Sequence, residues 1–235
     1  MTPQCPSGLT LVLVHGAWHG PWVWERLVAE LDDVPTRTVD LPSVGPDPAR
    51  LGDLHADATA IREVAAGIDG PVVVCAHSYG GAPATEGVAD LGNVVGLVYL
   101  CAFQLDVGDS LASTVGGEPP DWWDLHPDEG YVDALRPAEI FYADVDVITT
   151  ATSIGRLGHQ SLTALGQPLT TAAWHTVPST YVICEQDRAI PVAAQEAMSR
   201  RAKNVLRMAS SHSPFLSHPA ALAGILRAEL ARAAG

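Results

Sequence analysis

Positive charge is what this sequence has least of. Thirteen lysines and arginines stand against 27 aspartates and glutamates in 235 residues, a formal net charge of −14. A surface that negative repels phosphate backbones and anionic headgroups, which argues against nucleic-acid and membrane-surface partners. Long apolar runs are missing too: none approaches the ~18 residues that a membrane span needs. The opening Met1-Thr2-Pro3-Gln4-Cys5-Pro6 has neither the basic nor the apolar stretch of a secretory signal. The four cysteines (Cys5, Cys75, Cys101, Cys184) show neither C-x-x-C pairs nor metal-ligand spacing. Three of them lie in or beside apolar runs, as small buried hydrophobes do. These absences together make a reducing, cytoplasmic setting the expectation. With no G-x-G-x-x-G, Walker loop or metal cluster, neither a cofactor nor a metal is expected. No repeat, low-complexity tract or linker marks a second independent domain, and a homodimer is compatible with the composition.

What is present is apolar and periodic. Hydrophobic residues make up 47% of the chain and charged ones 17%, enough for one full domain with a sizeable core. Leu9 to Val14 is a continuous apolar run between glycines, the pattern of a strand buried on both faces. Pro21 then opens a stretch with Trp24, Leu27, Val28 and Leu31 at helical spacing. Thr36–Leu41 reads as a second strand, and Asp53–Ile68 as a helix with Leu54, Ala58, Ile61 and Ala65 on one face. Pro71–Ala76 is a third strand, Pro83–Leu91 a helix and Val94–Leu100 a fourth strand. Strands alternating with helices imply right-handed crossovers and a largely parallel sheet with helices on both faces.

From about Gln104 to Pro178 the rhythm stops, and no strong strand pattern is present. It resumes with a strand at Thr180–Cys184, a helix from Val192, a strand at Val205–Met208 and an amphipathic helix from Pro219. The organisation predicted is a core made of residues 1–104 and 179–235, interrupted by a cap at residues 105–178.

Directly after the third strand comes Ala76-His77-Ser78-Tyr79-Gly80-Gly81. A serine between a parallel strand and a helix must turn so tightly that its neighbours need small side chains, and Ala76, Gly80 and Gly81 supply them. Such a turn lifts the Ser78 hydroxyl above the carboxyl edge of the sheet, where open α/β sheets bind ligands. It aims the Tyr79 amide at the same point, ready for a negative oxygen. The plainer reading is a glycine-rich turn with an incidental serine. His15-Gly16-Ala17-Trp18-His19-Gly20 follows the first strand at the same edge, and offers the Ala17 amide as a second oxyanion donor.

Two segments, Val12-Leu13-Val14-His15-Gly16-Ala17-Trp18-His19-Gly20-Pro21-Trp22-Val23-Trp24 and Ala76-His77-Ser78-Tyr79-Gly80-Gly81, together resemble the α/β-hydrolase superfamily. Within it they look like the branch holding plant methyl-ester esterases, salicylate-binding esterases and hydroxynitrile lyases, with many bacterial esterases. The resemblance covers nearly all of the chain outside the cap. It implies an α/β class protein with the three-layer α/β-hydrolase fold: about six mostly parallel strands flanked by helices, with an inserted cap. Two departures stand out. Ala76 replaces a glycine that many members carry, and the chain begins at the histidine–glycine strand, which shortens the sheet.

Ser78 needs a histidine to take its proton, and that histidine needs a carboxylate to fix its tautomer. The resemblance implies the chain order serine, acid, histidine. His212, in the loop after the last strand, is the candidate base. His218 falls at the start of the final helix, His77 points away from the serine, and His15 and His19 support the oxyanion loop. Asp187, after the penultimate strand, matches the family's aspartate position. Glu185, two residues earlier, and Asp106 and Asp109, after the fourth strand, remain alternatives.

The expected activity is hydrolysis of a carboxylic ester or lactone of a small, largely apolar molecule through an acyl-enzyme at Ser78. The similar lyases carry a threonine after the strand histidine and a lysine after the triad histidine. Here those positions are Gly16 and Ser213, which disfavours lysis. Non-hydrolytic use of the triad and a ligand-binding protein that kept the fold are the alternatives. Trp18, Tyr79, Phe103, Trp122, Trp123 and Phe215 are candidates to line an apolar pocket beneath the cap, with ordinary core packing as the other reading of each.

Overall fold

A computed structural model describes residues 8–116 and 118–235. The expectations for the opening segment, Cys5 among them, lie outside the described residues. Among the described residues, ten strands fall in two sheets. The main sheet is built from β1 (Thr10–Val14), β2 (Thr36–Val39), β4 (Val72–His77), β5 (Val94–Leu100), β9 (Ser179–Cys184) and β10 (Asn204–Met208); the smaller one takes β3 (Val44–Gly45), β6 (Trp123–His126), β7 (Tyr131–Ala134) and β8 (His159–Ser161).

All six strands of the main sheet are parallel, in the order β10-β9-β5-β4-β1-β2. The four inner strands are almost wholly buried, because their valines, leucines and isoleucines face helices on both sides. The edge strand β10 alternates between exposed and half-buried positions along Asn204–Arg207. Helices α1 (Glu25–Glu30), α2 (Leu54–Ala66) and α3 (Gly81–Gly87) belong to the first half of the chain. Pro21–Trp24 is a 3-10 turn leading into α1. Asp53 caps α2 by accepting the Ala56 N–H at 2.8 Å, and the anticipated face of Leu54, Ala58, Ile61 and Ala65 is buried. Helix α3 is shorter than its sequence suggested. It stops at Gly87, and Asp90 adopts a left-handed conformation (φ 62°) that turns the chain towards β5.

Between β5 and β9 lie α4 (Leu111–Thr114), α5 (Pro137–Ile140), α6 (Val147–Ile154) and α7 (Leu162–Gly166), together with β6, β7 and β8. The three strands were not legible because each is three or four residues long and shows no alternating buried face; Trp123–His126 runs half-buried, exposed, exposed, half-buried. Their sheet, in the order β3-β8-β7-β6, is antiparallel and borrows β3 from the chain ahead of α2. The chain closes with α8 (Val192–Ser199), α9 (Pro214–Ser217) and α10 (Pro219–Ala233), the last packed on α1.

Strand order places the functional edge. β1 has β2 on one side and β4 on the other, so successive crossovers diverge between β1 and β4. A crevice opens at such a switch point, beyond the carboxyl ends of the strands. Val14 pairs with Ala76 and His77 with Leu100, so the loops after β1, β4 and β5 emerge level with one another.

Candidate active site

Ser78 leaves β4 in the left-handed region (φ 52°), a conformation that a residue with a Cβ adopts only under constraint. The surrounding residues impose it. A Cβ on Gly80 would stand 2.3 Å from the His15 carbonyl oxygen, and one on Gly81 would stand 2.8 Å from that of Phe103. Gly16 is equally constrained, since a Cβ there would lie 2.8 Å from the Ser78 Cβ. The glycines therefore let the β1 loop and the β4 turn touch. Ala76 is paired with Val14 of β1 and Tyr99 of β5, and its methyl is accommodated.

The loop after β10 brings His212 to this turn. Its Nε2 lies 3.0 Å from Ser78 Oγ, and its Nδ1 2.8 Å from Asp187 Oδ2. A carboxylate only accepts, so Nδ1 carries the proton and Nε2 is free to accept the serine's. All three side chains are buried. The other carboxylates weighed from sequence are engaged elsewhere: Glu185 with Arg207, Asp106 with His175, and Asp109 with Arg201.

Asp187 is held from several sides. Its Oδ1 accepts the N–H groups of Ala189 (2.7 Å) and Ile190 (3.0 Å), and its Oδ2 accepts the Gln195 side-chain amide (3.0 Å). Gln195 also bonds both backbone groups of Cys184 and the Ile190 carbonyl, so it ties the acid loop to β9. Sequence reasoning missed Gln195; its one signal was a polar residue on a face of α8 that turns inward.

Three further histidines surround the serine, each fixed in one tautomer by a carbonyl. His15 Nδ1 donates to Gly16 O while its Nε2 accepts from Leu41 N–H. His19 Nδ1 donates to Ala17 O at 2.7 Å, and His77 Nε2 donates to His212 O at 2.8 Å. Burial holds all three neutral, pushing His15 down to about 4, His19 down to about 3 and His77 well below the ordinary range. His77, Cys101 and His212 are close enough together to share an ion. Their geometry serves another purpose: His77 Nε2 and Cys101 Sγ both point at the His212 carbonyl, and burial pushes the Cys101 thiol well above its ordinary range, keeping it protonated.

Tyr79 follows the serine in a 3-10 turn (Ser78–Gly80) that leads into α3, where the first N–H groups of a helix have no partner within it. Its phenol donates to Asp57 Oδ2 at 2.6 Å, and Asp57 Oδ1 accepts the Ser43 N–H at 2.8 Å. Burial outweighs these donors and pushes Asp57 up to about 6.

A narrow cleft of about 30 Å³ opens at Ser78, lined by Ala17, Trp18, Phe103, Trp122, Trp123 and Phe141 among others. Trp18 stacks on Phe141 and meets Trp122 edge-on, both at 5.5 Å, and its indole N–H donates to Val132 O in β7. Past Phe103, Trp122 and Ile190 the cleft adjoins a recess of about 850 Å³ walled by α8. Phe215 is not on these walls. It is fully buried behind the site, packed on Trp24 and His77, because α9 turns its ring into the core. Phe141 is the aromatic wall that sequence reasoning overlooked, in a stretch with no readable pattern.

Residues 11–225 match a family model described as the Alpha/beta hydrolase family. Alpha/beta hydrolase nvfD of Aspergillus novofumigatus (strain IBT 16806) is 32% identical, over 92% of this chain and 94% of the relative. Methylesterase 7 of Arabidopsis thaliana is 25% identical, over 92% and 94%. The crystal structure of a pyrethroid hydrolase from Sphingobium faniae JZ-2 superposes with a TM-score of 0.80 at 20% identity, covering 94% of this chain and 97% of that one.

Proposed function

The chain belongs to the alpha/beta hydrolase family, and on that premise we propose that it is a carboxylic ester hydrolase acting through an acyl-enzyme on Ser78. The observation that carries the reading is the unbroken relay Ser78 Oγ, His212, Asp187, at 3.0 and 2.8 Å. Ser78 attacks the ester carbonyl while His212 Nε2 takes its proton, and the imidazolium returns that proton to the departing alcohol. Water then attacks the acyl-serine by the same route in reverse, releasing the acid. The N–H groups of Ala17 and Tyr79 receive the oxyanion. Asp187 keeps the imidazole in the tautomer whose free nitrogen faces the serine, and Gln195 keeps Asp187 in place.

Residues 105–178 act as the cap, and the substrate is a small, largely apolar ester. Trp18, Phe103, Trp122 and Trp123 support this by lining the cleft at Ser78. Lysis is disfavoured because Gly16 puts no hydroxyl where the similar lyases carry a threonine. Ser213, after the triad histidine, is a buried hydroxyl and offers no cation.

The decisive experiment pairs a fluorophosphonate probe with turnover of p-nitrophenyl esters. Labelling at Ser78, a burst of p-nitrophenol and loss of both in Ser78→Ala are the expected results. Folded protein that neither labels nor turns over ester would favour a binding role.

A further inference from the structure

Three residues within one four-residue stretch of the cap, Phe141, Tyr142 and Asp144, touch both loops that the proposed chemistry depends on. The Phe141 ring lies 5.5 Å from Trp18 and 5.8 Å from His212. Tyr142 is buried, and its hydroxyl lies 2.8 Å from His19 Nε2. His19 gives its Nδ1 proton to Ala17 O and is held neutral by burial, so Nε2 is an acceptor and the Tyr142 hydroxyl must be the donor. A directed chain results: phenol to imidazole to the carbonyl of Ala17, the residue whose own N–H is proposed above as an oxyanion donor. Asp144 reaches the other loop. Its Oδ2 accepts the Ser211 N–H at 2.9 Å, its Oδ1 accepts the Ser211 hydroxyl, and His218 Nε2 lies 3.4 Å away. Ser211 is buried and directly precedes His212.

We infer that Tyr142 and Asp144 are positioning residues, a strut by which the cap fixes the oxyanion loop and the histidine loop relative to each other. The inference rests on the serine-hydrolase reading above. Its physical content is distance: the Ser78 and His212 side chains come from different loops, and an error of about 1 Å between catalytic groups can cost 10²-fold in rate. The helices and strands fix where each loop starts, whereas the bonds to Tyr142 and Asp144 fix the loops near their tips. Without Asp144, a buried backbone N–H and a buried hydroxyl beside His212 lose their acceptor, and the loop must move to find another.

The test is a kcat-against-KM split on a p-nitrophenyl ester, with melting temperature followed in parallel. Asp144→Ala is expected to lower kcat at least tenfold with KM changed less than threefold. Asp144→Asn, whose amide oxygen can still take the Ser211 N–H while its NH₂ donates to the Ser211 hydroxyl, should recover most of the loss. Tyr142→Phe, which keeps the ring and removes one donor, should lower kcat three- to tenfold, and it decides the matter if Asp144→Ala does not fold. Parental kcat in folded Asp144→Ala, or in Tyr142→Phe where that alone folds, overturns the strut. A loss in Asp144→Ala that Asp144→Asn does not relieve, accompanied by an equal fall in melting temperature, overturns it as well. Ser78→Ala, assayed alongside, separates the two readings: if it still turns over ester the serine mechanism fails, and if it is dead while the strut variants are normal only the strut fails.

Discussion

On the sheet side the turn that carries Ser78 is packed mainly by backbone: the His15 carbonyl against Gly80, the Phe103 carbonyl against Gly81, and Gly16 against the serine itself. From residues 105–178 it is approached by side chains, the rings of Trp122, Trp123 and Phe141. The first kind of contact tolerates no change of residue size, because a backbone atom at 2.3 Å from a hypothetical Cβ cannot rotate away. The second tolerates many, since rings can be exchanged for other apolar groups at a modest cost in packing. On the reading proposed above, chemistry falls to the rigid half and substrate choice to the adaptable one, and substitutions in the two halves should fail differently.

The sheet side gives the largest effect. Asp187→Asn presents an N–H where His212 Nδ1 expects an acceptor, so the imidazole shifts its proton to Nε2 and can no longer receive that of Ser78. Turnover of every ester, aromatic or aliphatic, should fall by about 10⁴-fold, as when a triad aspartate is so replaced elsewhere. A near-normal rate would break the comparison by showing that the buried relay is not what drives the reaction, and would return Glu185 or Asp106 to consideration.

The same contrast explains what could be read from the residues alone. Ser78, with its glycines, and the His15–Gly20 loop were legible because their constraint is local: a tight turn at a strand end demands small residues within a few positions. The main sheet was legible because strands buried on both faces are continuous apolar runs, and β1, β4, β5 and β9 fall within a residue or two of where those runs lie. β6, β7 and β8 were not, since strands of three or four residues owe their pairing to partners far along the chain, β8 to Val44–Gly45 above all. Phe215 was misread as pocket lining for a related reason. It stands three residues after His212, and only the turn at Pro214 decides that its ring enters the core. Gln195 and Asp57 are polar residues on helix faces that meet the site only after folding.

On the cap side a smaller and more selective effect is expected. Trp122→Leu removes ring area from the cleft while keeping an apolar side chain against Trp18 and Phe141. Its kcat/KM for phenyl esters should drop about tenfold relative to that for ethyl esters of the same acid, the scale of a lost contact in an apolar pocket. Equal losses for both would make Trp122 a packing residue of the cap and blur the division of labour.

The smallest effect concerns the seam between the halves. Ser43 gives its N–H to Asp57 and its carbonyl accepts the Ser161 N–H, while its hydroxyl accepts from Gln160, so core helix α2 and cap strand β8 meet at one residue. Folded Asp57 keeps its proton up to about 6, whereas the unfolded chain releases it near 3.8. Its contribution is therefore fully present below about 3.8 and is lost as pH rises through 6, by about 2–3 kcal/mol in all. His15 and His19 work in the opposite sense. Held down to about 4 and about 3 in the folded protein, they contribute stability that is complete above 6.5 and lost as pH falls. With His77 depressed as well, the histidines outweigh Asp57, and the melting temperature should decline from pH 7 to pH 4. Asp57→Asn removes only the opposing contribution. The melting temperature of the variant relative to the parent should accordingly rise by roughly 5 °C between pH 4 and pH 7.5. A difference that stays constant across that range would mean that Asp57 is ionised throughout, and that the seam is held by an ordinary carboxylate in contact with water.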